Sequence, residues 1–280
     1  MALINVREVY PGVLLGLWQT NESADQFFGS YPFLCVFREH VDKTFKSEER
    51  RREFLAVHAL LHEMLNIAGY GTRKRATAQT SAGPCMPMIG HTATGKPVLD
   101  GYHVGVTHTR GYAALMLSKT CEVACDIEYI SDRVERIKSK FMRDDEHAGS
   151  LDQLLVCWCG KETMYKLFSD DNLQFSHMRV KPFDTMTDWA CDIENLKRDI
   201  VQRMDFELTM QFVLTYTFLK QPQATTPTPP QKQQCKRAQK RPRQKAKGDM
   251  SAARQEAQHK RRQSKEAVKS QTGTPEADGR

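Results

Sequence analysis

The sequence predicts an α+β fold followed by a basic tail. Apolar residues recur at helical spacing over residues 47–67 and again over residues 151–168. Short runs around these segments alternate apolar and polar residues, which is typical of antiparallel strands. Beyond residue 220 the composition changes to Gln, Pro, Thr, Lys and Arg, without the apolar spacing that a core requires. The 280 residues are enough for one large or two small domains.

The N-terminal part predicts short strands before the first long helix. One or two strands are expected within residues 1–18, and a short helix about residues 23–28. The long helix begins after Ser47, a good N-cap residue, and Gly69 is suited to end it. His58 lies on its apolar face, where a core histidine is expected more often than a ligand.

Basic residues flank that helix and the loop after it. Arg51 and Arg52 near its start are candidates to meet a phosphate, although solvated surface charge is the ordinary alternative. Residues 71–95 predict a loop that ends at Lys96, which lies between Gly95 and Pro97. A lysine held there is a positive point charge on a firm support, although this short pattern alone is weak.

Three strands are expected next, at residues 103–108, 112–118 and 122–130, joined as an antiparallel meander. Thr107 and His108 lie at the turn end of the first strand, where they suit either a plain hairpin loop or phosphate and adenine binding. In the third strand Asp126 and Glu128 are two residues apart and therefore point the same way.

The second long helix carries a carboxylate within its apolar stripe. Glu162 is costly there unless a cation or hydrogen-bond donors compensate it, and Lys166 lies four residues later on the same side. Two strand carboxylates and one helix carboxylate would suit Mg²⁺, which takes waters and substrate phosphates as its other ligands. The alternative is an acidic pair at a strand edge and a simple salt bridge between Glu162 and Lys166.

The remaining segments are predicted less sharply. Ser131 is expected to cap a helix that carries Val134 and Phe141. Beyond residue 173, alternating residues predict strands, with a short helical stretch near residues 193–204 and a final strand near residues 210–216.

Charge and cysteine content indicate a reduced, soluble, cytoplasmic protein. Residues 221–280 contain 15 Lys+Arg and five Asp+Glu, so the formal net charge of +7 comes from the tail. The eight cysteines include no Cys-x-x-Cys pair, and Cys157 and Cys159 are expected to be core thiols rather than half of a metal site. The sequence predicts neither a signal peptide nor a membrane span.

Four motifs occur in a recognisable order, and together they are more specific than any one alone. They are Gly95-Lys96-Pro97, Val106-Thr107-His108-Thr109, Cys125-Asp126-Ile127-Glu128, and Trp158-Cys159-Gly160-Lys161-Glu162 with Lys166. In this order and spacing the chain resembles the Sfp-type 4'-phosphopantetheinyl transferases. The resemblance covers about residues 45–216 and is sharpest at residues 94–168.

The resemblance implies an enzyme that moves the phosphopantetheine arm of coenzyme A to a serine of an apo acyl or peptidyl carrier protein, releasing 3',5'-ADP. Such carriers serve fatty acid, polyketide and nonribosomal peptide synthesis. By motif, Asp126, Glu128 and Glu162 would bind Mg²⁺. Glu162, or a metal-bound water that it orients, would take the serine proton, and Lys166 would stabilise the phosphates.

The nucleotide positions implied by the resemblance are Lys96, Thr107 and His108, with Arg51 or Arg52 as contacts to the 3'-phosphate. The chain departs from the family at three places. It has Thr-His-Thr where the family has Ser-His-Ser, and Gly105 where the family often has a small polar residue. It also has a histidine where the first long helix of the family commonly has an arginine. None of these departures removes an implied metal ligand.

The resemblance also implies a monomer of two pseudo-symmetric α+β halves with coenzyme A between them. The halves would be residues 1–102 and 103–220, each a small antiparallel sheet on a long helix, followed by a disordered basic tail at residues 221–280. Two alternatives lack transferase activity. One is a protein that only binds coenzyme A, and the other is a protein that associates non-specifically with nucleic acid through the tail.

Overall fold

Two antiparallel sheets, each covered by one long helix, organise the fold. The structure is a computed structural model that describes residues 3–69 and 87–220, all of which belong to the same compact unit. The fold is therefore mixed α and β with antiparallel sheets, as predicted. No helix within the described ranges is long and apolar enough to cross a membrane.

The helices and strands of the described residues are as follows. In residues 3–69 and 87–220 the α-helices are α1 (Ala24–Ser30), α2 (Arg38–Thr44), α3 (Glu48–Ile67), α4 (Arg133–Phe141) and α5 (Leu151–Leu167). The strands are β1 (Leu3–Tyr10), β2 (Val13–Gln19), β3 (Gly90–His91), β4 (Pro97–Val98), β5 (His103–Thr109), β6 (Tyr112–Ser118), β7 (Cys121–Tyr129), β8 (Met178–Val180), β9 (Ala190–Asn195), β10 (Ile200–Leu208) and β11 (Phe212–Lys220).

The first sheet has the strand order β1-β2-β6-β5, and α3 packs against β2 and β6. The Ser47 side chain accepts a hydrogen bond from the backbone N–H of Arg50, which confirms the predicted N-cap. A Cβ on Gly16 would lie 2.7 Å from Leu60 Cδ1 and 2.9 Å from Met64 Sδ. Glycine at this strand position therefore allows the helix to lie close to the sheet.

The second sheet has the order β7-β11-β10-β9-β8, and α5 packs mainly against β7 and β11. Ser150 caps α5 by accepting from the backbone N–H of Gln153, so the helix begins where its sequence pattern predicts. The predicted helix after Ser131 is also present as α4, with Asp132 at the N-cap position and Ser131 Oγ accepting from the N–H of Arg133.

Strand β7 is buried on both faces, which the alternating pattern alone does not predict. Its Val123, Cys125 and Ile127 side chains join a core shared with strands of the first sheet. Ala124 on the opposite face joins the core beneath α5. Asp126 and Glu128 belong to this second face, so their shared direction is confirmed.

Two predictions of local structure are wrong. Strand β7 pairs with β11 rather than continuing the meander from β6, because its apolar side chains cover the face of the first sheet. The helical stretch predicted near residues 193–204 is instead the hairpin of β9 and β10, which turns at Asp199 with a φ of 53°. Ile193 and Met204 each point into the core at strand spacing, which the isolated segment did not reveal.

The boundary predicted at residues 102 and 103 does not separate the two sheets. Strand β6 pairs with β2, and β5 pairs with β6, so the first sheet contains strands from both sides of that boundary. The predicted basic tail, residues 221–280, and most of the predicted loop at residues 71–95 lie outside the described residues.

Candidate active site

Asp126, on strand β7, lies between helix α5 and strand β5. The residue is only 6 % exposed. The Oδ1 atom accepts hydrogen bonds from Lys166 Nζ at 2.6 Å and from Thr107 Oγ1 at 3.1 Å. Thr107 Oγ1 also accepts from the backbone N–H of Ile127, which fixes β5 against β7. Within the described part of the chain, Asp126 Oδ2 is buried without a hydrogen-bond partner.

Lys166 contacts the strand rather than its own helix. Its Nζ donates to Asp126 Oδ1 and to the carbonyl of Cys125 at 3.2 Å, and the side chain is about one-third exposed. Burial alone would lower the pKa of Lys166, but the charge of Asp126 and the hydrogen bond to it raise that pKa above its ordinary value. The simple salt bridge expected between Glu162 and Lys166 is therefore replaced by a helix-to-strand pair.

Glu128 is held by an indole donor. Trp158 Nε1 donates to Glu128 Oε1 at 3.0 Å across the interface between α5 and β7. Burial raises the pKa of Glu128, and the charge of Asp126 adds to that effect, although the hydrogen bond from Trp158 opposes it. The indole of Trp158 thus packs against apolar side chains and also donates a hydrogen bond, which helical spacing alone does not reveal.

Glu162 faces the same region without a compensating protein donor in the described residues. Burial raises the pKa of Glu162 to about 7, helped by the charges of Asp126 and Glu128, and Lys166 only partly opposes the shift. A carboxyl group with this pKa exchanges its proton readily near neutral pH. Three carboxylates and one lysine therefore share a partly desolvated environment, as their sequence positions predict.

The carboxylates of the candidate site raise the question of whether a divalent cation could bind there. In residues 3–69 and 87–220 no group of three or more His, Cys, Asp or Glu side chains is close enough to form a ready metal cage. Mg²⁺ does not require one, because it is usually bound by one or two carboxylates together with waters and phosphate oxygens. The unpartnered Asp126 Oδ2 and the raised pKa of Glu162 both indicate uncompensated negative potential. Asp126, Glu128 and Glu162 are oxygen donors of the type that Mg²⁺ takes, but in residues 3–69 and 87–220 they do not converge as a metal-binding group.

A cleft of about 690 Å³ extends from Asp126 and Lys166 between the sheets. Lys96, Thr107 and His108 also line it, so five of the predicted site residues share one cavity. For convenience it is called the β5–β7 cleft. Its walls include Gly105, where a Cβ would lie 3.2 Å from Ala124 Cα and 3.3 Å from the Val123 carbonyl oxygen. Glycine at this position lets β5 approach β7 closely.

Lys96 and His108, which also line the β5–β7 cleft, have their own charged contacts. Lys96 Nζ is 3.2 Å from Glu122 Oε2, and His108 Nδ1 is 3.3 Å from Glu53 Oε2. Arg50 Nη1 lies 3.3 Å from His108 Nε2 and donates to Glu53 at 3.1 Å. Burial tends to raise the pKa of Glu53, but His108 and then Arg50 lower it overall.

The arginine beside His108 is Arg50, whereas Arg51 and Arg52, the candidates for the 3'-phosphate, make other contacts. Arg51 Nε donates to the carbonyl of Phe45, and its Nη1 lies 3.4 Å from Asp42 Oδ1. Arg52 lines a different cleft. The three consecutive arginines point in different directions around α3, and only contacts across the sheet show which one reaches His108.

Two further features of α5 were not singled out by sequence. Lys161 is fully buried, and its Nζ donates to Glu146 Oε2 at 2.6 Å and to the Phe141 carbonyl at 2.7 Å. Tyr165 is 43 % exposed and lines the β5–β7 cleft. Cys157 and Cys159 are buried free thiols whose pKa values are raised by desolvation, in agreement with their prediction as core residues.

In comparisons with known proteins, no protein-family model matches the chain, and no curated protein matches it with significant sequence similarity.

Proposed function

We propose that the protein transfers the 4'-phosphopantetheine arm of coenzyme A to a serine of an apo acyl or peptidyl carrier protein. The supporting observation is the pair of Asp126 and Lys166 in a cleft that Lys96 and His108 also line, with Glu162 close enough to feel the charges of that pair. The site combines three groups: a buried carboxylate that has one oxygen without a hydrogen-bond partner, a lysine, and a carboxyl group that titrates near neutral pH. These are the groups needed to move a phosphoryl-linked group to a hydroxyl.

The β5–β7 cleft suits an elongated anionic cosubstrate. Its volume of about 690 Å³ lies within the usual range for small-molecule sites. Cationic and hydrogen-bonding side chains line it, so the phosphates of coenzyme A would have partners there. Lys96 and His108 would hold the nucleotide portion, and Lys166 would hold the diphosphate near Asp126.

Side chains of this chain would carry the proton transfer and the positioning. Glu162 would accept the serine proton, since its pKa near 7 allows it to be deprotonated at physiological pH and still accept a proton. Thr107 and Trp158 would fix the orientations of Asp126 and Glu128 through the hydrogen bonds described above. Mg²⁺ bound by Asp126, Glu128 and Glu162 would supply Lewis-acid polarisation and charge neutralisation.

The proposed transfer needs no reactant besides coenzyme A and the carrier serine. The serine oxygen would form a bond to the β-phosphorus of coenzyme A, while the bond from that phosphorus to the bridging oxygen breaks. The bridging oxygen would leave on 3',5'-ADP, and the serine proton would pass to Glu162. We propose further that the two sheet-and-helix layers are pseudo-symmetric halves of a monomer, since one chain supplies both walls of the cleft.

Intact-mass spectrometry of an apo acyl carrier protein tests the reaction directly. The carrier would be incubated with the full-length protein, coenzyme A and Mg²⁺, with EDTA added to a parallel sample. The expected result is one added phosphopantetheine arm that EDTA abolishes. Coenzyme A binding without addition to any of several fatty acid, polyketide or peptide carriers would contradict transfer and favour a coenzyme A-binding protein.

The Glu162→Gln variant tests the assigned base. Turnover should fall by about 10²- to 10⁴-fold, whereas the Kd for coenzyme A should change little, because the lost proton acceptor acts mainly in the transition state. Steady-state kinetics and calorimetric titration would measure the two effects. Glu135→Gln, at an exposed site on α4, is the matched control. Equal losses of turnover and coenzyme A affinity would contradict the role of Glu162 as base.

A further inference from the structure

A second cleft, of about 770 Å³, contains three arginines from three separate elements. Arg52 comes from α3, Arg110 from the turn between β5 and β6, and Arg133 from the start of α4. Tyr129 and Glu49 also line this arginine cleft. Only one carboxylate therefore stands among three guanidinium groups, which makes the cleft a site of positive potential.

None of the three guanidinium groups forms an ion pair with a carboxylate within the described ranges, although the charge of Glu128 acts on Arg133. Arg133 Nη1 donates to the hydroxyl of Tyr129 at 3.1 Å, and Arg52 Nε is buried without any hydrogen-bond partner. The neighbouring Arg50 and Arg51 do form ion pairs, with Glu53 and Asp42. The missing counter-charge is thus a local property of the cleft and not of basic residues in this region generally.

The arginine cleft is chemically suited to an anionic group. Guanidinium groups are weakly hydrated and bind carboxylates through paired N–H donors. An anionic group entering the cleft would therefore find donors already arranged around it.

An apolar groove of about 280 Å³ adjoins the arginine cleft. Val134, Ile137, Leu155 and Trp158 form its apolar wall, and Tyr129 and Arg133 line both depressions. Glu128 lies at the inner end of this groove, where it meets Trp158. The combined surface therefore leads from exposed arginines, past apolar side chains, to one of the carboxylates of the candidate active site.

This surface and the β5–β7 cleft lie along successive parts of strand β7. Residues 123–126 line the β5–β7 cleft, whereas Glu128 and Tyr129 line the apolar groove. In phosphoryl-type transfer the attacking and leaving oxygens lie roughly in line, on opposite sides of the phosphorus. An acceptor hydroxyl would then approach from the side that coenzyme A leaves free.

We propose that the arginine cleft and its apolar groove dock an acidic, amphipathic segment of the protein acceptor. This inference rests on the proposed function, because the transfer reaction requires such an acceptor. Charge complementarity selects an acidic partner, and the apolar wall selects a segment with apolar side chains beside its carboxylates. The separation from the β5–β7 cleft favours an acceptor over a second part of coenzyme A.

Charge reversal tests the docking surface in the full-length protein. In Arg110→Glu/Arg133→Glu, the KM for an acidic apo acyl carrier protein should rise at least tenfold, while the Kd for coenzyme A stays unchanged. Arg136→Glu alters an exposed arginine on the same helix outside both depressions and is the matched control. An unchanged KM for the carrier in the double variant would overturn the proposal while leaving the transfer reaction intact.

A binding measurement separates failure of docking from failure of the function. Fluorescence anisotropy would use a labelled peptide of Glu and Leu residues at helical spacing, with inorganic phosphate as competitor. The double variant should bind this peptide at least tenfold more weakly than the wild type and Arg136→Glu. If the wild type modifies no carrier, the proposed function fails, yet this loss would still support an acidic docking surface. Lost phosphate or coenzyme A affinity with unchanged peptide binding would identify a small-anion subsite and overturn the proposal.

Discussion

Helices α3 and α5 lie on similar antiparallel sheets, yet they bury different kinds of polar side chain. On α3 the deepest polar group is His58, whose Nδ1 lies 2.8 Å from the Phe54 carbonyl and which stacks near Phe37 and Phe54. Burial lowers the pKa of His58 to about 4, so the ring is neutral at pH 7. The buried Glu53 of α3 keeps His108 and Arg50 as partners, whereas α5 encloses Lys161 completely and leaves its neighbour Glu162 partly buried.

The neighbouring residues Lys161 and Glu162 show how differently buried charge is treated. Glu146 compensates Lys161 and also accepts from the backbone N–H groups of Arg143 and Val180, so this pair is fully satisfied. Glu162 has only the partial compensation of Lys166. A satisfied pair of this kind holds structure together, whereas an unsatisfied carboxyl costs stability and is more often retained for function.

Breaking the satisfied pair should have the largest effect on stability. Lys161→Met would leave Glu146 buried without its cation, and the free energy of unfolding should fall by about 3–5 kcal/mol. Denaturant titration would measure the change. Lys138→Met, an exposed lysine on α4, is the control and should change stability by less than about 0.5 kcal/mol. A small loss in Lys161→Met would show that this pair does not anchor α5.

Replacing Glu162 should change the free energy of unfolding in the opposite direction. Its pKa is 4.5 in the unfolded chain and about 7 when folded, so stability is greatest below pH 4.5 and is lost as pH rises to 7. Glu162→Gln removes that loss and should raise the free energy of unfolding at pH 8 by on the order of 2 kcal/mol relative to pH 4.5. Denaturant titrations at both pH values would measure it. A pH-independent difference would contradict the unsatisfied state of Glu162.

Replacing His58 should have the smallest effect on stability, and this effect should occur at acidic pH. Its unfolded pKa is 6.5 and its folded pKa about 4, so stability is full above pH 6.5 and is lost as pH falls towards 4. His58→Leu abolishes this loss, so its stability relative to wild type should increase by about 1.4 kcal/mol between pH 7.5 and pH 5.5. Thermal melts would compare it with His147→Leu, an exposed control. Equal pH dependence in wild type and His58→Leu would exclude His58 as the source.

Both long helices could be predicted from sequence because their information is local. Ser47 and Ser150 cap them where the apolar period begins, and the two-residue spacing of Asp126 and Glu128 sets their common direction. The hairpin of β9 and β10 could not be predicted in the same way. Its Ile193 and Met204 satisfy either a helical or a strand reading until the neighbouring strands are known.

The sequence by itself determined the α+β class, the long helices and the order of the residues that form the candidate site. Only the tertiary structure decided that Thr107 holds Asp126, that Lys166 pairs with the strand, and that Arg50 is the arginine beside His108. The physical reason is that periodicity relates residues within one element. Contacts between elements depend instead on how surfaces far apart in the chain pack, and on close approaches such as that at Gly105.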